Sequence, residues 1–270
     1  MLPIVFTKFF KGMTREEVAA RALELGFAGL DVALREGHCV TPETVSQLPA
    51  AVEYWRRQGL VTPMVSLETS WVEADRPGME EVFAACAEAE APFIKLGYWA
   101  FDPALDYWQA VDAIEEALKR FEALARRYGV TALVHTHSGN VFGCNASAVM
   151  DLVGGCDPDH VAVCLDPAHL AVEGESLPMA LRIVEGYLRV VALKNVEYVA
   201  GQEGNLTLWK RRWCKANEGL VNWPEALRTL SEAGFDGPVS VHGEYSGAKD
   251  QAEVQRWLEE DMAFIRPLFH

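Results

Sequence analysis

Apolar residues along the chain alternate between two spacings. Short runs of strand length, several rich in Val, occur at residues 4–10, 29–34, 62–67, 93–98, 131–135, 161–165, 190–193 and 238–242. Between them the spacing becomes helical. Thr14-Arg15-Glu16-Glu17 is a capping-box sequence, Val18, Ala22 and Leu25 follow on one face, and Gly26 is a stop. Thr41-Pro42-Glu43 opens a second helix. Residues 79–91 are alanine-rich, and Val111, Ile114, Leu118, Phe121 and Ala125 form one stripe ending near Gly129. Further helices are expected at 146–153 and 178–188, after Pro224, and along Val254, Leu258, Met262 and Ile265.

Strand then helix, eight times over, predicts a parallel sheet, and eight units in 270 residues fit a closed (β/α)8 TIM barrel of the α/β class. One domain, 1–270, uses the whole chain. A doubly wound open sheet is disfavoured, because no GxGxxG follows the first run; for the same reason no nucleotide cofactor is expected. The longest non-repetitive stretch, about 196–221, is expected as a loop over the active site.

Composition narrows the partners. Half of the residues are hydrophobic, so a sizeable core forms. The 24 Lys+Arg against 39 Asp+Glu give a net charge of −15, which argues against nucleic acid and leaves room for a small anionic group at a local basic site. No window approaches about 18 apolar residues, so no membrane span is expected. No leader is visible at the start, and six scattered cysteines without a CxxC pair read as reduced thiols, which together predict a cytoplasmic protein.

In a barrel the chemistry sits at the carboxyl ends of the strands. Those ends carry Asp31 and Arg35, Glu68, Lys95, His135 and His137, Asp166 and His169, Lys194 and Asn195, and His242 and Glu244. Strand alternation puts His135 with His137, Ala192 with Lys194, and His242 with Glu244 on shared faces. Imidazole and carboxylate are common ligands of Mn, Zn, Co and Fe, so His135, Asp166 and His242 are a candidate divalent site. His38 and His160, on loops, read as structural. A Schiff-base role for Lys95 or Lys194 is set aside in favour of pairing with carboxylates. Lys210-Arg211-Arg212 reads as a solvated loop, although it is also the best local anion site in an acidic chain. Trp71, Trp99 and Trp209 fall after the third, fourth and seventh strands, where aromatic faces could stack on a sugar ring.

Several segments resemble the xylose isomerase-like barrels of the sugar phosphate isomerase/epimerase group. They are Gly26-Phe27-Ala28-Gly29-Leu30-Asp31, Arg35-Glu36-Gly37-His38-Cys39-Val40, Lys95-Leu96-Gly97-Tyr98-Trp99, Cys164-Leu165-Asp166-Pro167-Ala168-His169 and Gly234-Phe235-Asp236-Gly237-Pro238-Val239-Ser240-Val241. The resemblance implies a metal held by Glu, Asp, His and Glu from strands five to eight, with the glutamates moving a proton next to a carbonyl. This chain departs from that pattern. Asp166 is kept, His135 and His242 stand at the glutamate positions, and Ala192 stands at the histidine position.

The expected function is an isomerase or epimerase of a small sugar or polyol derivative. His135, His242 and Glu244 are the candidate catalytic groups, and His137, His169, Lys95, Lys194, Trp99 and Arg35 the candidate substrate contacts. Two alternatives stay open: a sugar-binding relative that lost the reaction, and a metal-dependent lyase or dehydratase on the same barrel. Related proteins often form homo-oligomers, and no interface patch stands out.

Overall fold

The eight apolar runs fold as the parallel staves of a closed barrel. The computed structural model describes residues 1–269. Its barrel strands are β1 (Leu2–Phe6), β2 (Gly29–Ala33), β3 (Val61–Ser66), β4 (Phe93–Lys95), β5 (Thr131–His135), β6 (Val161–Leu165), β7 (Leu188–Leu193) and β10 (Pro238–Val241). They close in the order β1-β10-β7-β6-β5-β4-β3-β2. Every neighbouring barrel pair is parallel.

The helices are α1 (Arg15–Leu25), α2 (Leu48–Arg57), α3 (Met79–Glu88), α4 (Tyr107–Tyr128), α5 (Ala146–Val153), α6 (Pro167–Glu173), α7 (Leu177–Ile183), α8 (Trp223–Glu232) and α9 (Gln251–Ile265). The capping box of α1 forms: Thr14 accepts from the Glu17 amide, and the Glu17 carboxylate accepts from the Thr14 amide. Gly26 ends the helix at φ 82, a conformation that favours glycine. The helix expected at Pro42 begins as a 3-10 turn, Pro42–Gln47, before α2.

Two elements differ from the pattern. The stretch after β7 is not a loop but a β-hairpin, β8 (Asn195–Glu203) and β9 (Leu206–Cys214), paired antiparallel along its whole length. Its signal was Gly204-Asn205, a turn pair between Val/Tyr-rich and Leu/Trp-rich runs. The helix expected at 178–188 is α7, and a separate α6 starts on Pro167 directly after the β6 strand end.

Met64, Leu133, Ala162, Cys164, Val190 and Ala192 fill the barrel interior, which is therefore packed rather than hollow. The larger core lies between strands and helices and includes Trp55, Phe83, Phe121 and Trp223, all fully buried. All six cysteines are free. No helix among the described residues is long and apolar enough to cross a membrane.

Candidate active site

The polar strand ends meet at one mouth of the barrel, above that apolar plug. Asp31 on β2 is fully buried. Its carboxylate accepts from Ser66 Oγ at 2.7 Å, Ser240 Oγ at 2.9 Å and His242 Nε2 at 2.9 Å. A carboxylate beside Nε2 keeps the proton on that nitrogen, so the lone pair of neutral His242 lies on Nδ1. The His242 ring packs 4.6 Å from Phe6 and 5.6 Å from His135.

Across the mouth, Asp166 caps α6. Its Oδ1 accepts from the amides of Ala168 and His169, and its own amide donates to Thr136 Oγ1. Capping uses Oδ1 and leaves Oδ2 buried, with no hydrogen-bond partner among the described residues. Three groups surround that oxygen: His135 Nε2 at 3.4 Å, Lys194 Nζ at 3.4 Å and His169 Nε2 at 3.7 Å. Lys194 also donates to Glu244 at 2.6 Å and lies 4.3 Å from the Trp213 ring centre.

Hydrogen bonds assign the tautomer of His169. The Ser138 amide, which can only donate, reaches His169 Nδ1 at 3.0 Å. Neutral His169 therefore carries its proton on Nε2, directed at the Asp166 side. Ser138 Oγ also lies 2.7 Å from Nδ1 and accepts from Arg211 at 2.7 Å. Arg211 thus joins the site from the hairpin. His135 Nδ1 lies 2.8 Å from Tyr98 Oη.

Burial sets the proton affinities. It lowers all four histidines: His137 and His242 to about 4, and His135 and His169 well below their ordinary range. Lys95 adds to the effect at His135, and Lys194 adds to it at His137 and His169. Burial raises Asp166 to about 6, against the pull of Lys194. Glu244 goes the other way: burial alone would raise it, but Lys194 and Lys8 bring it to about 2.

These shifts predict acid lability. Unfolded histidines titrate near 6.5, so between pH 6.5 and about 4 the unfolded chain binds more protons than the folded one. The stability these histidines contribute is present above pH 6.5 and is lost as pH falls toward 4. Asp166 and Asp261 oppose this, since a raised carboxyl gains stability as pH falls from about 6 to 3.8, but they are two groups against five histidines, His38 being lowered to about 4 as well. The thermal midpoint should therefore drop from pH 6.5 to 4, and a constant midpoint over that range would contradict these assignments.

The expected residues fall as follows. His135, Asp166, His169, Lys194 and Glu244 come together, with His137 beside His169 at 4.1 Å between ring centres. His242 lies across the mouth from them with Asp31. Lys95 is buried and donates to Tyr98 Oη at 3.3 Å. Arg35 donates to the Leu67 carbonyl at 3.3 Å. Trp99 packs half-buried against the main core, and Trp213 is the tryptophan that meets His169, at 4.9 Å. The Lys210-Arg211-Arg212 run divides: Arg211 turns to Ser138, while Arg212 pairs with Glu197. The strand-end pattern gave no role to Asp31, Ser138, Ser240 or Tyr98, and overlooked Lys8 and Trp213. A cavity of about 340 Å³ opens beside Lys8 and Glu244. A larger depression of about 740 Å³ runs past Thr14, Cys39 and Gln47, away from these groups.

The xylose isomerase-like TIM barrel family matches residues 19–268. The chain belongs to that family. Among solved structures of the xylose isomerase-like fold, the IolI protein with a binding zinc atom superposes with a TM-score of 0.76 at 13% identity, covering 100% of this chain and 96% of that one. The probable 3-DHS dehydratase AsbF of Bacillus anthracis gives 0.73 at 15% identity, covering 98% and 99%. The 3-keto-D-glucoside 4-epimerase YcjR of E. coli gives 0.72 at 17% identity, covering 99% of each. These likenesses show the fold. An inosose dehydratase of Lacticaseibacillus casei is 23% identical over 158 residues, 53% of this chain and 49% of the relative. The chain spans about half the length of the curated relatives it matches.

A divalent ion, as the xylose isomerase-like family implies, does not fit the donors as arranged. His135 Nε2 and Asp166 Oδ2 are buried and without hydrogen-bond partners, but the third expected ligand, His242, gives Nε2 to Asp31. His135, Asp166 and His242 do not close into one three-donor set; among the described residues the set that does is Glu197, Cys214 and Glu218, on and beside the hairpin. The Lys194 ammonium already sits 3.4 Å from the Asp166 oxygen a metal would take. Nδ1 of His169 accepts from an amide, so its Nε2 carries a proton rather than a ligating lone pair.

Proposed function

We propose that this protein is an enzyme that moves a proton at the carbon next to a carbonyl of a small sugar-like substrate, as an isomerase or epimerase. The Asp31–His242 pair carries this reading: a buried carboxylate holds Nε2–H at 2.9 Å and leaves Nδ1 as a base in the mouth. His242 Nδ1 takes the proton. The Lys194 ammonium stabilises the enolate oxygen that develops, in a water-poor site where such a charge acts strongly. Asp166, raised to about 6, takes a proton from solvent and delivers it to the carbon to complete the turnover, and His242 returns its proton to solvent. His135 and His169 orient substrate oxygens, and His169 does so as an Nε2–H donor. Glu244, which accepts from Lys194 at 2.6 Å and is held at about 2 by Lys194 and Lys8 against its burial, fixes Lys194 in place rather than taking the proton.

A dehydratase is the second reading, supported by the named activity of the inosose dehydratases. Dehydration starts with the same proton removal and ends with loss of a hydroxyl, which Asp166 would protonate.

Incubation with ketoses and keto acids in deuterated water tests both. Deuterium at the carbon next to the carbonyl in returned substrate supports the isomerase, and an absorbing unsaturated product supports the dehydratase. Neither signal across the panel would leave the protein a binder.

A further inference from the structure

Three cations line the other half of the mouth. Lys8 stands on the turn after β1, Arg35 follows β2, and Lys95 ends β4. The proton-handling groups described above come from β6, β7 and β10, with His135 on β5 between the two halves and Asp31 on β2 among the cations.

None of the three cations has a carboxylate within salt-bridge distance among the described residues, whereas Lys194 has two. Lys95 is 1% exposed, and its Nζ meets only neutral oxygens, the Leu96 carbonyl at 3.5 Å and Tyr98 Oη at 3.3 Å. Arg35 Nε is buried with no partner. Lys8 Nζ and the Arg35 guanidinium lie over the same Phe6 ring, 5.5 and 5.0 Å from its centre, and His242 packs on that ring too, which gathers the two cations near His242. Two anions face the group from beyond salt-bridge distance, and both are already engaged: Asp31 by Ser66, Ser240 and His242, and Glu244 by Lys194 at 2.6 Å.

Lys95 is buried and Lys8 and Arg35 are half-buried; cations so withdrawn from water without a paired carboxylate are costly, and they persist where a counter-charge arrives from outside. Mutual repulsion is visible in their proton affinities. Burial takes Lys8 down to about 7, with Lys194, Arg35 and Lys95 adding to it against the pull of Glu244; burial and Arg35 take Lys95 to about 8 against the pull of Asp31. A bound anion would relieve both.

We propose that Lys8, Arg35 and Lys95 form a pocket for an oxyanion, a carboxylate or phosphate group carried by the substrate. The proposal rests on the assignment of this mouth as the substrate site and adds the substrate's charge class to it. An anion held here lies beside His242, while the carbonyl end faces Lys194 and Asp166. The pocket is local: the chain carries a net −15, so general attraction to anions does not account for it.

Calorimetric titration of the full chain with D-fructose, 2-keto-D-gluconate, D-fructose 6-phosphate and inorganic phosphate tests the pocket. At least one charged sugar should bind ten or more fold tighter than D-fructose, on the order expected for a desolvated charge contact. That affinity should weaken with salt and fall by about tenfold or more in Lys8→Met and Arg35→Met, each checked for folding by circular dichroism. Lys210→Met on the exposed hairpin should leave it unchanged. Preference for the keto acid assigns a carboxylate; preference for the sugar phosphate, with competition by inorganic phosphate, assigns a phosphate. Equal or tighter binding of D-fructose, no binding of any charged probe, or full affinity in both folded variants overturns the proposal. Binding is read without turnover. Charged-probe affinity lost in the variants, with no deuterium exchange, keeps the pocket and removes the proton-transfer function. Exchange into neutral ketoses without charged-probe binding does the reverse.

Discussion

Replacing Asp31 with asparagine should lower substrate deuterium exchange by ~10²–10⁴, the scale of a positioned general base. The cause is tautomeric rather than steric. The Asp31 carboxylate accepts from His242 Nε2 at 2.9 Å and so holds the proton there. An asparagine amide can turn its NH₂ toward Nε2, which moves the ring proton to Nδ1 and removes the lone pair that takes the substrate proton. Ser66 and Ser240 would still hold the side chain, at 2.7 and 2.9 Å from the native oxygens, so the fold should survive. Stability should fall by about 1–3 kcal/mol, because charge-assisted bonds become neutral ones. His242→Gln should lose exchange to a similar degree with little change in unfolding. Exchange within a fewfold of the parent in both variants would remove this pair from the mechanism.

Lys194→Met should have the largest effect on stability. Lys194 is buried and neutralises two carboxylates, Asp166 at 3.4 Å and Glu244 at 2.6 Å. Methionine keeps the length and removes the charge, leaving Asp166 buried beside two neutral histidines, His135 and His169. Breaking such a buried pair costs about 3–5 kcal/mol near neutral pH. The loss should shrink as pH falls below about 6, where Asp166 takes a proton and no longer needs its partner. Urea unfolding of parent and variant at neutral and acidic pH reads this directly. An equal loss at both pH values would mean that Lys194 acts by packing alone.

The barrel was legible because its signals are local and repeated. Each strand is a short apolar run, and the caps at Thr14 and Gly26 bound a helix from within a few residues of sequence. The hairpin was not, because Asn195–Glu203 and Leu206–Cys214 alternate weakly and are exposed on most positions. Only pairing with each other makes them strands. In the site, the position of His135, Asp166, Lys194 and Glu244 at strand ends pointed to the mouth where they meet. It did not say which atoms face one another. The engagement of His242 with Asp31 spans 211 positions in sequence, and Arg211 reaches Ser138 across 73. Both depend on closure of the barrel and on the path of the hairpin. Lys8 escaped notice because its run, 4–10, reads as one strand, whereas β1 ends at Phe6 and the chain then turns so that Lys8 flanks the mouth.

The central claim is that the proton is moved by this chain's own histidine, carboxylate and lysine. It is tested most directly by measuring deuterium exchange on a substrate from the panel before and after exhaustive chelation, with the metal content of both samples determined. The arrangement of Asp31, His242, Asp166 and Lys194 predicts exchange that survives chelation within about twofold and is abolished by His242→Gln. Exchange that disappears with the metal and returns when Mn or Zn is restored would contradict it.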